Sequence, residues 1–268
     1  MQHKYLVISA VGDESVHRTW LSDKSQRTFD LCLIYFGNQT GRFEKDADHY
    51  FAQQGVKFQL IHALAQRHPE LFARYELIWC PDDDVAAETH SINQFFRLME
   101  RHGLQLAQPA IAQGDAAFKA LRRHPDYLLR YTGYVEVMCP AFTHDAFQKV
   151  LPTFVENISA WGIDWLWTSM FRPSEAAVID AVGVHHTRPL QAGGVHKLFA
   201  ARGINPQADY NAVIKKYGLK MRRYHRSIYF DSARLRGIDL AGRKVWTRPW
   251  WTSVWPGEKR LRAGLRAA

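Results

Sequence analysis

The sequence predicts an α/β fold, a mostly parallel central sheet covered by helices, and three observations predict it. Short apolar runs rich in β-branched and aromatic residues alternate with segments of helical period through the first two thirds of the chain, the pattern that builds strand-helix units. Turn formers close the first two runs, at Gly12-Asp13 and Gly37-Asn38, where the chain must reverse. Three aspartates, Asp82-Asp83-Asp84, follow directly on another run, at the sheet edge where open α/β folds bind ligands.

Tyr5 to Val11 is the first expected strand and Phe29 to Phe36 the second, with a helix expected between them from Glu14 to Asp23. Phe58, Ile61, Leu64 and Ala65 recur at helical spacing within Lys57 to Gln66, and Pro69 opens a short helix reaching Tyr75. Leu77 to Cys80 reads as a buried strand that Pro81, having no N–H for a ladder, ends. Ile92, Phe95, Phe96 and Met99 mark the next helix, with Thr89 or Ser91 as N-cap and Gly103 as stop. Leu104 to Ile111 follows as a strand, then a strand-like segment from Arg130 to Pro140 carrying Glu136. A helix is expected from about Thr143 to Leu151 and another from Asp164 to Phe171. Ala176 to Val184 is the last strand, delivering His185-His186-Thr187-Arg188-Pro189. From about Leu190 the composition turns basic and aromatic, so the chain divides into a domain over 1–190 and an extension over 191–268, expected to stand outside the sheet.

A chain of 268 residues with 47% apolar and 23% charged content is ordinary for a globular protein of one domain, or one domain plus an appendage. Its net charge of +9 favours an anionic partner without choosing among nucleotide, phosphate, nucleic acid and acidic membrane. Cys32, Cys80 and Cys139 are odd in number, widely spaced and set in apolar runs, which suits buried thiols in a reducing compartment. The N-terminus runs straight into a strand with no signal-like apolar stretch, so the expectation is a cytoplasmic enzyme.

Along an extended segment Asp82 and Asp84 point to one side and Asp83 to the other. Two carboxylates on one side suit a hard divalent ion, Mn²⁺ or Mg²⁺, that leaves positions for substrate phosphates. The competing reading is a turn or a helix cap, both of which also favour aspartate. Asp164 sits among Trp161, Trp165 and Trp167, apolar surroundings that would raise its pKa, and it also stands where a helix cap would. Glu136 is the competing carboxylate. The chain has no glycine-rich phosphate loop, which disfavours a P-loop NTPase or a Rossmann dehydrogenase.

Taken together, the acidic cluster at a strand end, the later Gly162-x-Asp164 among tryptophans and the strand-terminal histidines resemble the motifs of GT-A-type nucleotide-sugar glycosyltransferases. The chain is also similar to an uncharacterised domain family shared by plants and bacteria. That likeness is carried by the strand-then-acid stretch, Gly103 to Ala110, Thr132 to Met138, Ala160 to Asp164 and the His185 to Pro189 spacing. It spans roughly residues 4 to 190.

The resemblance implies a GT-A-like domain transferring a sugar from a nucleoside-diphosphate donor to a hydroxyl acceptor, with inversion. Asp82 and Asp84 would hold the metal and the donor's ribose-diphosphate, Asp83 being the least constrained, and His185 would complete the metal shell in preference to its neighbour His186. Asp164 would be the base, with Glu136 as base or acceptor ligand. Lys57 would reach the diphosphate, and the stretch around Val11 and Gly12 would seat the nucleotide base.

The extension carries Arg222-Arg223-Tyr224-His225-Arg226, Trp246, Trp250, Trp251 and Trp255. Rings interleaved with cations would rest on an anionic membrane surface, which suits a glycolipid or surface-polysaccharide acceptor and a peripheral place at the inner face of the membrane. Alternatively the rings pack on the domain and the cations face water. No nucleic-acid motif accompanies the basic residues, so nucleic acid is not an expected partner. A non-catalytic protein that holds a nucleotide or glycan is the rival to the enzyme.

Overall fold

The computed structural model describes residues 3–190, 194–219 and 236–246. In chain order the elements are β1 (Tyr5–Val11), β2 (Asp30–Tyr35), β3 (His49–Ala52), α1 (Lys57–Arg67), α2 (Pro69–Phe72), β4 (Leu77–Trp79), β5 (Val85–Ala86) and α3 (Thr89–Arg101). They continue with β6 (Leu106–Gln113), β7 (Tyr127–Tyr131), β8 (Ala141–Thr143), α4 (His144–Val150), α5 (Ile163–Met170) and β9 (Ala176–His186). The last are α6 (Gly194–Ala201), α7 (Pro206–Lys216), β10 (Arg236–Asp239) and β11 (Lys244–Trp246).

Eleven strands form one sheet in the order β11-β10-β7-β9-β6-β8-β4-β1-β2-β3, with β5 pairing β9. The sheet is mixed, which corrects the mostly parallel expectation. β1 runs parallel to β2 and β4, β2 to β3, and β6 to β9. The three-residue β8 lies antiparallel between β4 and β6, and β5 and β7 oppose β9. Apolar content shows that a strand is buried, whereas its direction depends on how the chain enters it. The extension is not wholly outside the sheet, as β10 pairs with β7 and β11 with β10. Trp246 is exposed with the Arg236 guanidinium over its ring. Trp250, Trp251, Trp255 and the 222–226 run lie outside the described residues. Among the described residues no helix is long and apolar enough to cross a membrane.

Alternation along β1 builds two cores. Tyr5, Val7 and Val11 join α3's Phe95, Phe96 and Met99 on one face. Leu6, Ile8 and Ala10 join α1's Phe58, Ile61 and Leu64 on the other, as period two in a strand and 3.6 in a helix require.

Two local expectations are corrected. Residues 14–23 form a 3₁₀ turn at His17–Leu21 rather than a helix. The strand expected from Arg130 ends at Tyr131, because the Thr132 hydroxyl takes the Tyr134 N–H and turns the chain. Glu136 therefore stands on a loop.

Pro109 sits where the β6–β9 register shifts, since it cannot donate to a regular ladder. The displaced part of β9 carries Asp180, which is 1% exposed and accepts from Arg130 Nε at 2.8 Å, Arg130 Nη2 at 2.9 Å and His124 N at 2.7 Å.

Candidate active site

The acidic triplet begins where β4 ends. Cys80 N donates to Pro140 O and Asp82 N to Met138 O, so the 136–140 loop runs beside it. The chain turns at Val85 N–Asp82 O and enters β5, whose residues Val85 and Ala86 pair with His186 and His185 of β9. That two-residue ladder joins the triplet to the end of β9.

Each aspartate then meets a protein cation. Asp82 Oδ1 is paired with Lys57 Nζ, which also donates to Val137 O at 2.6 Å, Met138 O at 3.2 Å and Cys80 O at 3.3 Å. Asp83 accepts from Gly12 N at 2.8 Å and Arg188 Nη1 at 2.9 Å. Asp84 Oδ2 faces His186 Nε2 at 3.5 Å and Arg188 Nη1 at 3.8 Å. Burial alone would raise Asp84, but His186 and Arg188 outweigh it and hold the carboxyl below its usual range. His186 rises in return, chiefly through Asp84.

A cavity of about 520 Å³ opens at this edge. Its lining includes the ionisable Lys57, Asp82, Asp84, Glu136, Asp164 and His186 and the aromatic Phe118, Tyr134, Trp161, Trp165, Phe199 and Tyr210. The last two belong to α6 and α7, so the extension helps close the cavity. Gly162, at φ 93°, lets α5 start against α7, because a Cβ there would stand 3.3 Å from Tyr210 Cα. Trp161 and Trp165 reach the cavity, whereas Trp167 is buried in the other core and donates to Thr153 Oγ1.

Asp164 does not cap α5. The N-cap is Gly162, and the carboxylate accepts from Tyr134 O–H at 2.7 Å and Trp165 N at 2.9 Å. Burial pushes it up to about 6 against those two donors. Glu136 is pushed up to about 8, mainly by burial and then by the neighbouring Asp164 charge. At pH 7 Asp164 is therefore mostly ionised and Glu136 mostly protonated. Glu136 Oε2 and Asp84 Oδ1 are buried without a hydrogen-bond partner, an uncommon and costly state that a bound polar group would relieve.

Among the other expected site residues, Val11, Gly12 and Asp83 do not line the cavity. Val11 is fully buried, and Gly12 serves Asp83. His185 is exposed and away from the cavity, while His186 enters it. Parity decides which of the two histidines reaches the cavity. Val182, Val184 and His186 share the inward face of β9, and one residue of slip would exchange the histidines. The alternation of Val182 and Val184 was a usable signal for this. Tyr134, Arg188 and the cavity-lining residues of α6 and α7 carried no such signal.

The donors expected for the divalent ion are partly engaged by other protein groups. Among the described residues no three His, Cys, Asp or Glu side chains are grouped to hold a metal. Asp82 is held by Lys57, and His186 places both ring nitrogens toward oxygens, Asp84 Oδ2 and Asp115 O at 2.9 Å.

Removing the Tyr134 hydroxyl tests the electrostatics of Asp164. Tyr134→Phe should move the acid limb of any activity profile upward by about one to two pH units, since hydrogen bonds to charged groups contribute about 1.5–3 kcal/mol. A profile with an unmoved limb would separate that limb from Asp164.

Comparison with known proteins adds the following. The family described as "Protein of unknown function (DUF707)" matches residues 2–130, which include Lys57 and the triplet but not Glu136, Asp164 or His186. No curated protein matches the chain. Among solved structures, the crystal structure of S. aureus TarS 1-349 is similar with a TM-score of 0.48 and 11% identity, over 84% of this chain and 74% of that one. A crystal structure of S. aureus TarS is similar at 0.46 and 10%, over 79% of this chain and 43% of that one. Likeness at this level assigns no residue a role. The chain is thus similar to the DUF707 family through the half that carries the acidic triplet.

Proposed function

We propose that the protein is a glycosyltransferase that moves a sugar from a nucleoside-diphosphate donor to a hydroxyl of a glycan or glycolipid acceptor. The observation that carries this reading is the composition of the cavity. Ionisable side chains and aromatic rings line one cavity, and a sugar offers hydroxyls to the first and C–H faces to the second.

In the proposed step the acceptor oxygen attacks the anomeric carbon while its proton passes to Asp164. The bond from that carbon to the diphosphate oxygen breaks, and its electron pair leaves with the nucleoside diphosphate. One displacement with one base inverts the anomeric centre. Tyr134 keeps Asp164 ionised and oriented. Glu136, protonated at neutral pH, donates to a sugar or acceptor oxygen, while Asp84 Oδ1 accepts from a donor hydroxyl. Trp161 and Trp165 provide faces for the sugar rings. The reaction profile should therefore be bell-shaped, rising near pH 6 as Asp164 ionises and falling near pH 8 as Glu136 loses its proton.

Donors are identified by thermal shift with a panel of nucleotide sugars, since a ligand of the native state raises its stability. Release of nucleoside diphosphate in the presence of candidate acceptors then shows turnover. Saturable donor binding with no release under any acceptor would favour the non-catalytic binder.

Glu136 also links the site to stability. Its folded pKa of about 8 lies above the ordinary 4.5, so the native state holds a proton that the unfolded state has lost. Glu136 alone should lower wild-type stability as pH rises from about 4.5 to 8, by roughly 4 kcal/mol. Glu136→Gln should remove that share of the slope in urea titrations and leave the part below pH 6 that Asp164 contributes. An equal slope in both proteins would place the wild-type decline elsewhere.

A further inference from the structure

We propose that Lys57 is the resident cation of the acidic triplet, so that donor binding and transfer need no divalent ion. This inference rests on the glycosyltransferase reading for its consequence, but its geometry stands apart from it. The Lys57 ammonium lies among four oxygens: the Asp82 carboxylate and the carbonyls of Cys80, Val137 and Met138. That is an oxygen cage of the kind a hard cation takes, already filled by a side chain that is 12% exposed. The three segments it ties together are the start of α1, the end of β4 and the loop beyond Glu136.

The remaining aspartates are compensated in the same way. Arg188 bridges Asp83 to Glu14 O and approaches Asp84, which His186 also faces. Three carboxylates thus meet Lys57, Arg188 and the imidazole of His186. A bare triplet would repel a diphosphate unless a metal bridged them, whereas protein cations among the carboxylates offset much of that repulsion. The ligands a divalent ion would recruit are committed as well. Asp82 Oδ1 is bound to Lys57, Asp84 Oδ2 faces His186 and Arg188, and His186 Nδ1 lies 2.9 Å from Asp115 O.

The test is Mn²⁺ binding followed by the paramagnetic signal of the free ion, on the whole chain, alone and with UDP or GDP. Wild type should lower the free Mn²⁺ signal no further than buffer, or the same nucleotide without protein, does, and EDTA should not alter the affinity for a donor that binds. Lys57→Met, which keeps an unbranched side chain and removes the charge, should gain a saturable Mn²⁺ site at Asp82 and Asp84. One Mn²⁺ bound per wild-type chain and lost in Asp84→Asn would overturn the proposal. The wild-type arm needs no variant to fold. Absence of any nucleotide binding would count against the glycosyltransferase reading, while the Mn²⁺ measurement on the protein alone would still decide the role of Lys57.

Discussion

Replacing Asp164 by Asn should lower transfer by about 10²–10⁴-fold and leave donor affinity nearly unchanged, since positioned general bases typically contribute that much. The substitution keeps the shape of a side chain that is 5% exposed. Its amide oxygen can still accept from the Trp165 N–H while its NH₂ donates to the Tyr134 hydroxyl oxygen, so α5 should start unchanged. What disappears is the ability to take a proton. The rising limb of the pH profile near 6 should vanish with it, and the Tm should move little. Loss of donor binding in parallel with transfer would make Asp164 a structural acid and shift the role of base to Glu136.

The second large effect is on stability. Arg130→Met should destabilise the fold by about 3–5 kcal/mol, because it leaves Asp180 as a buried charge with its counter-ion gone. Asp180 has no exposed side-chain surface, and both of its oxygens are engaged by the guanidinium. The same guanidinium donates to Arg122 O, so the substitution frees the 122–124 segment as well as β7. Asp180→Asn together with Arg130→Met should recover much of the loss, since neither residue then carries a buried charge. Denaturant titration of the single and double variants measures this. A single variant within about 1 kcal/mol of wild type, the ordinary size of a point-mutation effect, would mean that water reaches Asp180.

The elements with a clean period were legible in the sequence. β1 and β2 stand close to where apolar runs place them, and α1 and α3 bury the residues picked out by helical spacing. Period says nothing of partners, however. Ala141–Thr143 is too short to show alternation, yet as β8 it separates β4 from β6 and makes the sheet mixed. Asp82, Asp84, Glu136 and Asp164 were visible as acids in unusual settings, and the structure brings them to one cavity.

The partners of those acids were not visible. Lys57 reads in sequence as a lysine opening a helix, and only the fold sets it against the end of β4. His185 and His186 differ by one place in a strand, which sequence alone settles only if parity is followed from Val182. Tyr134 meets Asp164 because a turn at Thr132 ends β7 early, and a hydroxyl-to-backbone turn leaves little trace in apolar patterning. The lining residues of α6 and α7 come from a region whose basic and aromatic composition suggested an appendage.

The central claim is that this cavity holds a nucleotide sugar against Asp84, Glu136 and Asp164. Calorimetric titration of the chain with UDP- and GDP-sugars tests it most directly. Saturable binding of one donor is predicted, weakened about 10- to 100-fold in Asp84→Asn through loss of a hydrogen bond to a charged group. Failure of every nucleotide sugar to bind, or equal affinity in wild type and Asp84→Asn, would contradict it.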